Sequence, residues 1–197
     1  LEQYSEQDAF LGIAELISLT PDAGRVMGAH AITGLTRAAY LRAGIAPNSV
    51  LDVTAPSGSM KTTYTPLLVQ PYHRDEEIKP ETRLNSSHRF IEDILHDNCE
   101  FTTVIDDLHT AESRAIRRKN EEAKEEITRR IGDDTGRGRM AGNKAVQQNP
   151  QGNAIFLGEY QTGIQSTAAR GLIINFAKPD GRQLVKFQRE PHIISTF

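Results

Sequence analysis

The sequence predicts an α/β fold: a mainly parallel sheet flanked by helices, behind a short N-terminal helical section. Three observations predict it. Two helical periodicities come first, and short β-prone runs then alternate with helical stretches. One β-prone run, Val50–Thr54, leads into a Gly/Ser turn that reaches Lys61. Another, Phe101–Ile105, ends in two aspartates.

Residues 4–19 carry Phe10, Leu11, Ala14, Leu16 and Ile17 at helical spacing, and Pro21 is expected to end that helix. Residues 22–43 read as a second helix that stops before Gly44, with Pro47 beyond. These form a helical section over 1–47, and 48–197 form the core. Val50-Leu-Asp-Val-Thr54 is the first strand, and a helix-capable stretch follows Lys61. Residues 87–98 are amphipathic, with Phe90, Ile91, Ile94 and Leu95 expected to face inward. Phe101–Ile105 is the next strand, and residues 111–131 form a very polar helix. Gly132, Gly136, Gly138, Gly142, Pro150 and Gly152 mark residues 132–152 as a long surface loop. Ala154–Leu157 and Gly171–Phe176 complete the set of strands.

The 197 residues suffice for one ordinary domain with a core. Apolar residues at 38%, charged residues at 25%, 15 Gly and 9 Pro describe a globular chain, neither disordered nor collagen-like. No apolar run approaches the ~20 residues of a membrane helix, so no membrane partner is expected. No basic stretch precedes an apolar one at the start, so no secretory signal is visible. The chain begins with Leu1 and reads as a piece of something longer. The single Cys99 cannot form an internal disulfide and points to the reducing cytoplasm. A net charge of −3 excludes a generally basic coat for nucleic acid, though not a local basic patch.

Ala55-Pro-Ser-Gly-Ser-Met-Lys-Thr-Thr63 is the most informative segment. The Walker A pattern, G-x-x-x-x-G-K-[ST], cradles phosphates with backbone N–H groups. Its lysine reaches the outer phosphates, and the hydroxyl that follows holds Mg²⁺. Lys61 and Thr62 stand where that pattern needs them, with Gly58 inside the loop. Pro56, Ser57, Gly58, Ser59, Met60, Lys61, Thr62 and Thr63 are therefore the candidate ATP-binding residues. Ala55 and Met60 replace the two glycines, and Met60 is the graver departure because glycine there permits close backbone approach. The bland alternative is a Ser/Gly turn that happens to contain a lysine.

Thr102-Thr-Val-Ile-Asp-Asp107 has the Walker B form, a hydrophobic strand ending in acids. At the carboxyl end of a parallel strand, Asp106 would lie near the phosphate loop and share Mg²⁺ with Thr62. Asp107 occupies the place where many such ATPases carry a water-orienting glutamate, one methylene longer. Two solvated carboxylates at a strand stop would be unremarkable alone. The two motifs in this order favour a P-loop NTPase-type sheet.

The chain resembles the P-loop ATPase domains of phage, plasmid and integrative-element replication proteins. Those are helicase-like, AAA+-type modules often joined to primase domains. The resemblance runs from Leu51 to Phe176. It takes in the loop above, where the family varies the last glycine, and the Ser-led helix of Asn85-Ser-Ser-His-Arg-Phe-Ile-Glu-Asp-Ile-Leu-His-Asp. It also covers Phe101-Thr-Thr-Val-Ile-Asp-Asp-Leu-His, the Gly-Arg-rich Ile131–Met140, and the Gly158-Glu159 pair followed by Arg170 before a strand. The resemblance implies ATP hydrolysis, ring assembly and duplex unwinding in the replication of a mobile element. Glu159 would then contact the γ-phosphate or orient water if Asp107 is too short; otherwise it is a loop carboxylate capping a neighbour.

Arg170 is the one charge between Tyr160 and Phe176. It either reaches nucleotide phosphates, in its own or a neighbouring subunit, or pairs structurally with Glu159 or Asp107. Arg137 and Arg139 lie in the glycine-rich segment, with Arg129, Arg130 and Lys144 nearby. They suit DNA phosphates, or a solvated loop equally well. The polar helix carries a narrow stripe of Ala111, Ala115, Ile116, Ala123 and Ile127, which fits a solvated face or a protomer–protomer surface. Glu122 and Glu126 stand at ion-pairing distance from Arg118 and Arg130 along it. None of the six histidines forms a zinc spacing with Cys99. Two other functions remain open: a nucleotide-binding scaffold that does not hydrolyse ATP, and a DNA- or partner-binding module with a vestigial loop.

Overall fold

The computed structural model describes residues 21–45, 49–59, 61–69, 81–97, 101–108, 113–141, 144–161 and 169–175. The expected helix over 4–19 lies outside them. Helix α1 (Pro21–Arg42) opens on Pro21, whose fixed φ and missing N–H suit a first helical position. Gly44, at φ +74°, follows its last turn as expected.

Then come β1 (Val50–Thr54), α2 (Lys61–Val69), β2 (Glu81–Arg83), α3 (His88–Asp97), β3 (Thr102–Leu108) and α4 (Arg114–Asp133). They are followed by β4 (Arg137–Ala141), β5 (Lys144–Gln148), β6 (Asn153–Gly158) and β7 (Gly171–Asn175). Among the described residues, five strands form one sheet in the order β2-β3-β6-β1-β7, and every neighbouring pair is parallel. A parallel sheet needs cover on both faces. Strand alternation supplies two apolar surfaces. Leu51, Val53, Ile155 and Leu157 pack with Met27 and Ala31 of α1 and Tyr64 of α2. Val50, Ala154 and Phe156 pack with Ile91 and Leu95 of α3 and Ile127 and Ile131 of α4. The result is helix, sheet, helix. All six residues of β6, the central strand, are buried.

Helix α1 lies close to the start of β3. A Cβ on Gly34 would stand 2.2 Å from Thr102 Oγ1, so only glycine allows this approach. Below it is a polar cluster. His30 Nε2–H donates to the Ala154 carbonyl at 3.2 Å, and Asn153 Nδ2 donates to Thr33 Oγ1 at 2.9 Å.

Four expectations need correction. Residues 132–152 are not a long loop: α4 extends to Asp133, and β4 and β5 pair as an antiparallel hairpin. The hairpin is a ribbon with β5 exposed, so it carries no apolar alternation to read. Phe90 does not face inward; it is 51% exposed, because Ile91 and Leu95 define the buried line of α3 and Phe90 lies off it. On α4, Ala115 and Ile116 are exposed, and the buried face begins lower, with Asn120, Lys124, Ile127, Thr128 and Ile131. The acids of β3 do not follow the strand but sit within it, at a register shift between Ile105 and Leu108.

Candidate nucleotide-binding site

Strand β1 ends at Thr54, and the Ala55 N–H donates to the Gly158 carbonyl at 3.0 Å. The chain then turns sharply: the Ser59 N–H donates to the Pro56 carbonyl at 3.2 Å, and Gly58 holds φ +74°, a conformation glycine adopts without strain. Pro56, Ser57 and Gly58 are exposed, whereas Ser59 is buried. Met60 lies outside the described residues. Lys61 begins α2, is 5% exposed, and has no hydrogen bond or ion pair among the described residues. Thr62 is half-buried and Thr63 exposed. The Ser59 hydroxyl is buried with no partner among the described residues. A helix N-terminus, a buried lysine with no partner among the described residues and an orphaned buried hydroxyl together suit an anion.

Asp106 lies on β3, whose carboxyl end is level with the end of β1 through β6. Val104, two residues before it, packs in the same core as Tyr64 of α2. Strand β6 stands between β1 and β3, so the strand axes are roughly 10 Å apart. Asp106 is 9% exposed, and its carbonyl accepts the Leu84 N–H at 2.8 Å. The side chain of Asp107 lies outside the described residues. Glu159 is half-buried, and its N–H donates to the Leu108 carbonyl at 2.8 Å. Gly158 and Glu159 therefore stitch the ends of β1 and β3 together. A Thr hydroxyl and an Asp carboxylate are hard oxygen donors that fit Mg²⁺.

Arg170 is elsewhere. It precedes β7, and its carbonyl accepts the Val50 N–H at 3.2 Å, level with the start of β1. The Ala55–Lys61 loop follows the other end, roughly 15 Å along the strands. Arg170 grips Asp133 at the end of α4, with Nη2 2.9 Å and Nε 3.0 Å from Oδ1. The expected pairing with Glu159 or Asp107 gives way to Asp133, because the parallel sheet puts the start of β7 opposite the ends of β3 and β6. Arg137 and Arg139 lie on β4, beyond the same end of α4, and Lys144 is exposed on β5. The side chains of Arg137 and Arg139 are outside the described set. Both predicted helix pairs form, Arg118–Glu122 at 2.8 Å and Arg130–Glu126, and Arg130 also engages Glu92 of α3.

Sequence reasoning passed over two contacts on α4. Lys124 Nζ is 2.5 Å from both carboxylate oxygens of Asp52 in β1. Arg117 stacks on the Tyr160 ring, 4.4 Å from its centroid. An aspartate between buried Leu51 and Val53 was the available signal for the first. Lys124 is one of many charges on its helix and gave none.

Neither a family model nor a curated protein sequence matches the chain. Solved structures do. JCV helicase superposes with a TM-score of 0.56 at 14% identity, over 94% of this chain and 49% of that one. The SCCmec type IV Cch active helicase gives 0.54 at 14% identity, over 95% of this chain and 34% of that one. JCV helicase bound to a thiazolopyridinyl phenoxyphenyl acetamide also gives 0.54, over 94% and 50%.

The chain shares its fold with part of these helicase structures. It spans half or less of the length of these helicase chains. Among the described residues no helix is long and apolar enough to cross a membrane.

Proposed function

We propose that this helicase-like domain binds and hydrolyses ATP and serves as a motor in the replication of a mobile genetic element. The observation that supports the proposal is Lys61, buried at the start of α2 with no hydrogen bond or ion pair among the described residues, in a sheet where Asp106 is buried on β3, two strands from β1. In this reading the backbone over Pro56–Thr63 surrounds the phosphates, and Lys61 offsets their charge. Thr62 and Asp106 hold Mg²⁺, which screens the phosphate oxygens. Asp107 or Glu159 holds the attacking water and accepts its proton. Arg170, remote from the loop of its own chain, acts on the nucleotide of a neighbouring protomer in a ring. Arg137 and Arg139 on the β4–β5 hairpin contact DNA phosphates.

Phosphate release with and without single-stranded DNA tests the reading. The full-length protein is expected to hydrolyse ATP faster with DNA, and Lys61→Ala and Asp106→Asn to abolish that turnover. No turnover with any DNA would sink the motor. Met60, in place of the usual glycine, favours a second reading: a scaffold that binds ATP without cleaving it. That protein would bind Mg-ATP and release no phosphate, with Asp107→Asn changing nothing. DNA binding that survives Lys61→Ala and needs no Mg-ATP would instead mark a binding module with a vestigial loop.

A further inference from the structure

We propose that Arg117 is a positioning residue for Glu159, acting through its stack on Tyr160; this rests on the role given to Glu159 above. Glu159 sits in a turn anchored on the side that precedes it. The Gly158 carbonyl accepts the Ala55 N–H, and the Glu159 N–H donates to Leu108. Gly158 is pressed against β3: a Cβ there would stand 2.8 Å from Leu108 Cβ. On the other side of Glu159 the next side chain, Tyr160, lies against the Arg117 guanidinium at 4.4 Å. That separation is inside the range at which a cation is attracted to a ring face, and both residues are half-buried, which strengthens the attraction. The carboxylate-bearing residue is thus held between two fixed neighbours.

The position of Arg117 in α4 supports a role of this kind. Ser113 caps the helix, its hydroxyl accepting the Ile116 N–H. Arg117 therefore stands just past the first turn, where the helix dipole disfavours a cation. Its neighbour Arg118 is engaged by Glu122, one turn on. Arg117 instead reaches across to the turn that follows β6, linking α4 to the edge of the sheet where the phosphate loop lies.

The test is a kinetic cycle on the 197-residue chain with Mg-ATP, run with enzyme in excess so that rates about a thousandfold below wild type are still read. Arg117→Ala is expected to lower the hydrolysis rate about tenfold while the half-saturating ATP concentration stays within about twofold. Arg117→Lys and Tyr160→Phe, which keep a cation and a ring, are expected to stay within about threefold of wild type, and Tyr160→Leu to match Arg117→Ala. Adding Arg117→Ala to Glu159→Gln is expected to slow the reaction no further. An equal slowing in the Glu159→Gln background, or a rise in half-saturation with an unchanged rate, would overturn the proposal. Loss of the role of Glu159 is read separately: Glu159→Gln would then turn over like wild type, and the positioning role would fall with it.

Discussion

Lys124 and Asp52 form an ion pair in the middle of the molecule, Nζ 2.5 Å from each carboxylate oxygen, with the lysine side chain fully buried. The pair ties α4 to β1, the strand that leads into the Ala55–Lys61 loop. The Phe156 ring lies beside the ammonium, 5.4 Å from centroid to Nζ. Burial pulls the Lys124 pKa down, and the Asp52 charge and hydrogen bond pull it back up. Breaking such a pair from one side leaves an uncompensated charge in a dry interior. Lys124→Met is expected to cost about 3–5 kcal/mol, whereas Lys124→Met with Asp52→Val is expected to be neutral or stabilising. Urea unfolding of the three proteins checks this. Equal losses in the single and double variants would contradict it.

His30 makes folding sensitive to acid. Burial is the main cause that lowers its pKa to about 4; the Ala154 carbonyl opposes that shift and the Arg37 charge adds to it. Between pH 6.5 and about 4 the unfolded chain holds a proton that the folded chain does not, so stability falls as pH falls through that window. The loss is on the order of 3 kcal/mol when complete. Unfolding midpoints measured from pH 7 to 4 should fall less steeply in His30→Gln than in wild type. Parallel profiles would remove His30 as the cause.

The Arg170–Asp133 pair stands at the sheet end opposite the loop. Arg170→Ala is therefore expected to leave Mg-ATP affinity of the monomeric chain within about twofold, because a partly exposed pair contributes only about 0–1 kcal/mol to stability. Equilibrium binding of a fluorescent ATP analogue reads this. A tenfold loss in the monomer would mean that Arg170 reaches its own nucleotide.

Gly34 is fixed by contact with β3. Gly34→Ala is expected to destabilise by about 1–3 kcal/mol, since the added methyl meets Thr102 side chain and backbone. Gly138, where a Cβ meets nothing within 4 Å, is the control. Chemical denaturation of both alanine variants separates them, and equal midpoints would contradict the close packing of α1 on β3.

Strands β1 and β6 were legible because burial on both faces leaves a short apolar run. The order of the two motifs was enough to anticipate that the strand before Lys61 and the strand bearing Asp106 belong to one parallel sheet. That β6 runs between them was not readable, since pairing order depends on contacts distant in sequence. Strand β2, three polar residues at the sheet edge, has no apolar signature. The hairpin carrying Arg137 and Arg139 was hidden for the same reason, its ribbon burying too little to show a period. Arg170 was read as a lone charge in need of a partner, which it was. Its partner came from the end of α4, a helix whose last turn extended beyond the expected boundary.

The most direct measurement is a calorimetric titration of Mg-ATP into the wild-type chain and into Lys61→Ala. The account predicts saturable heat at one site per wild-type chain and at least a tenfold weaker association in the variant, a difference of about 1.4 kcal/mol or more. Identical isotherms, or no heat from the wild type, would contradict the assignment of Lys61 to a triphosphate.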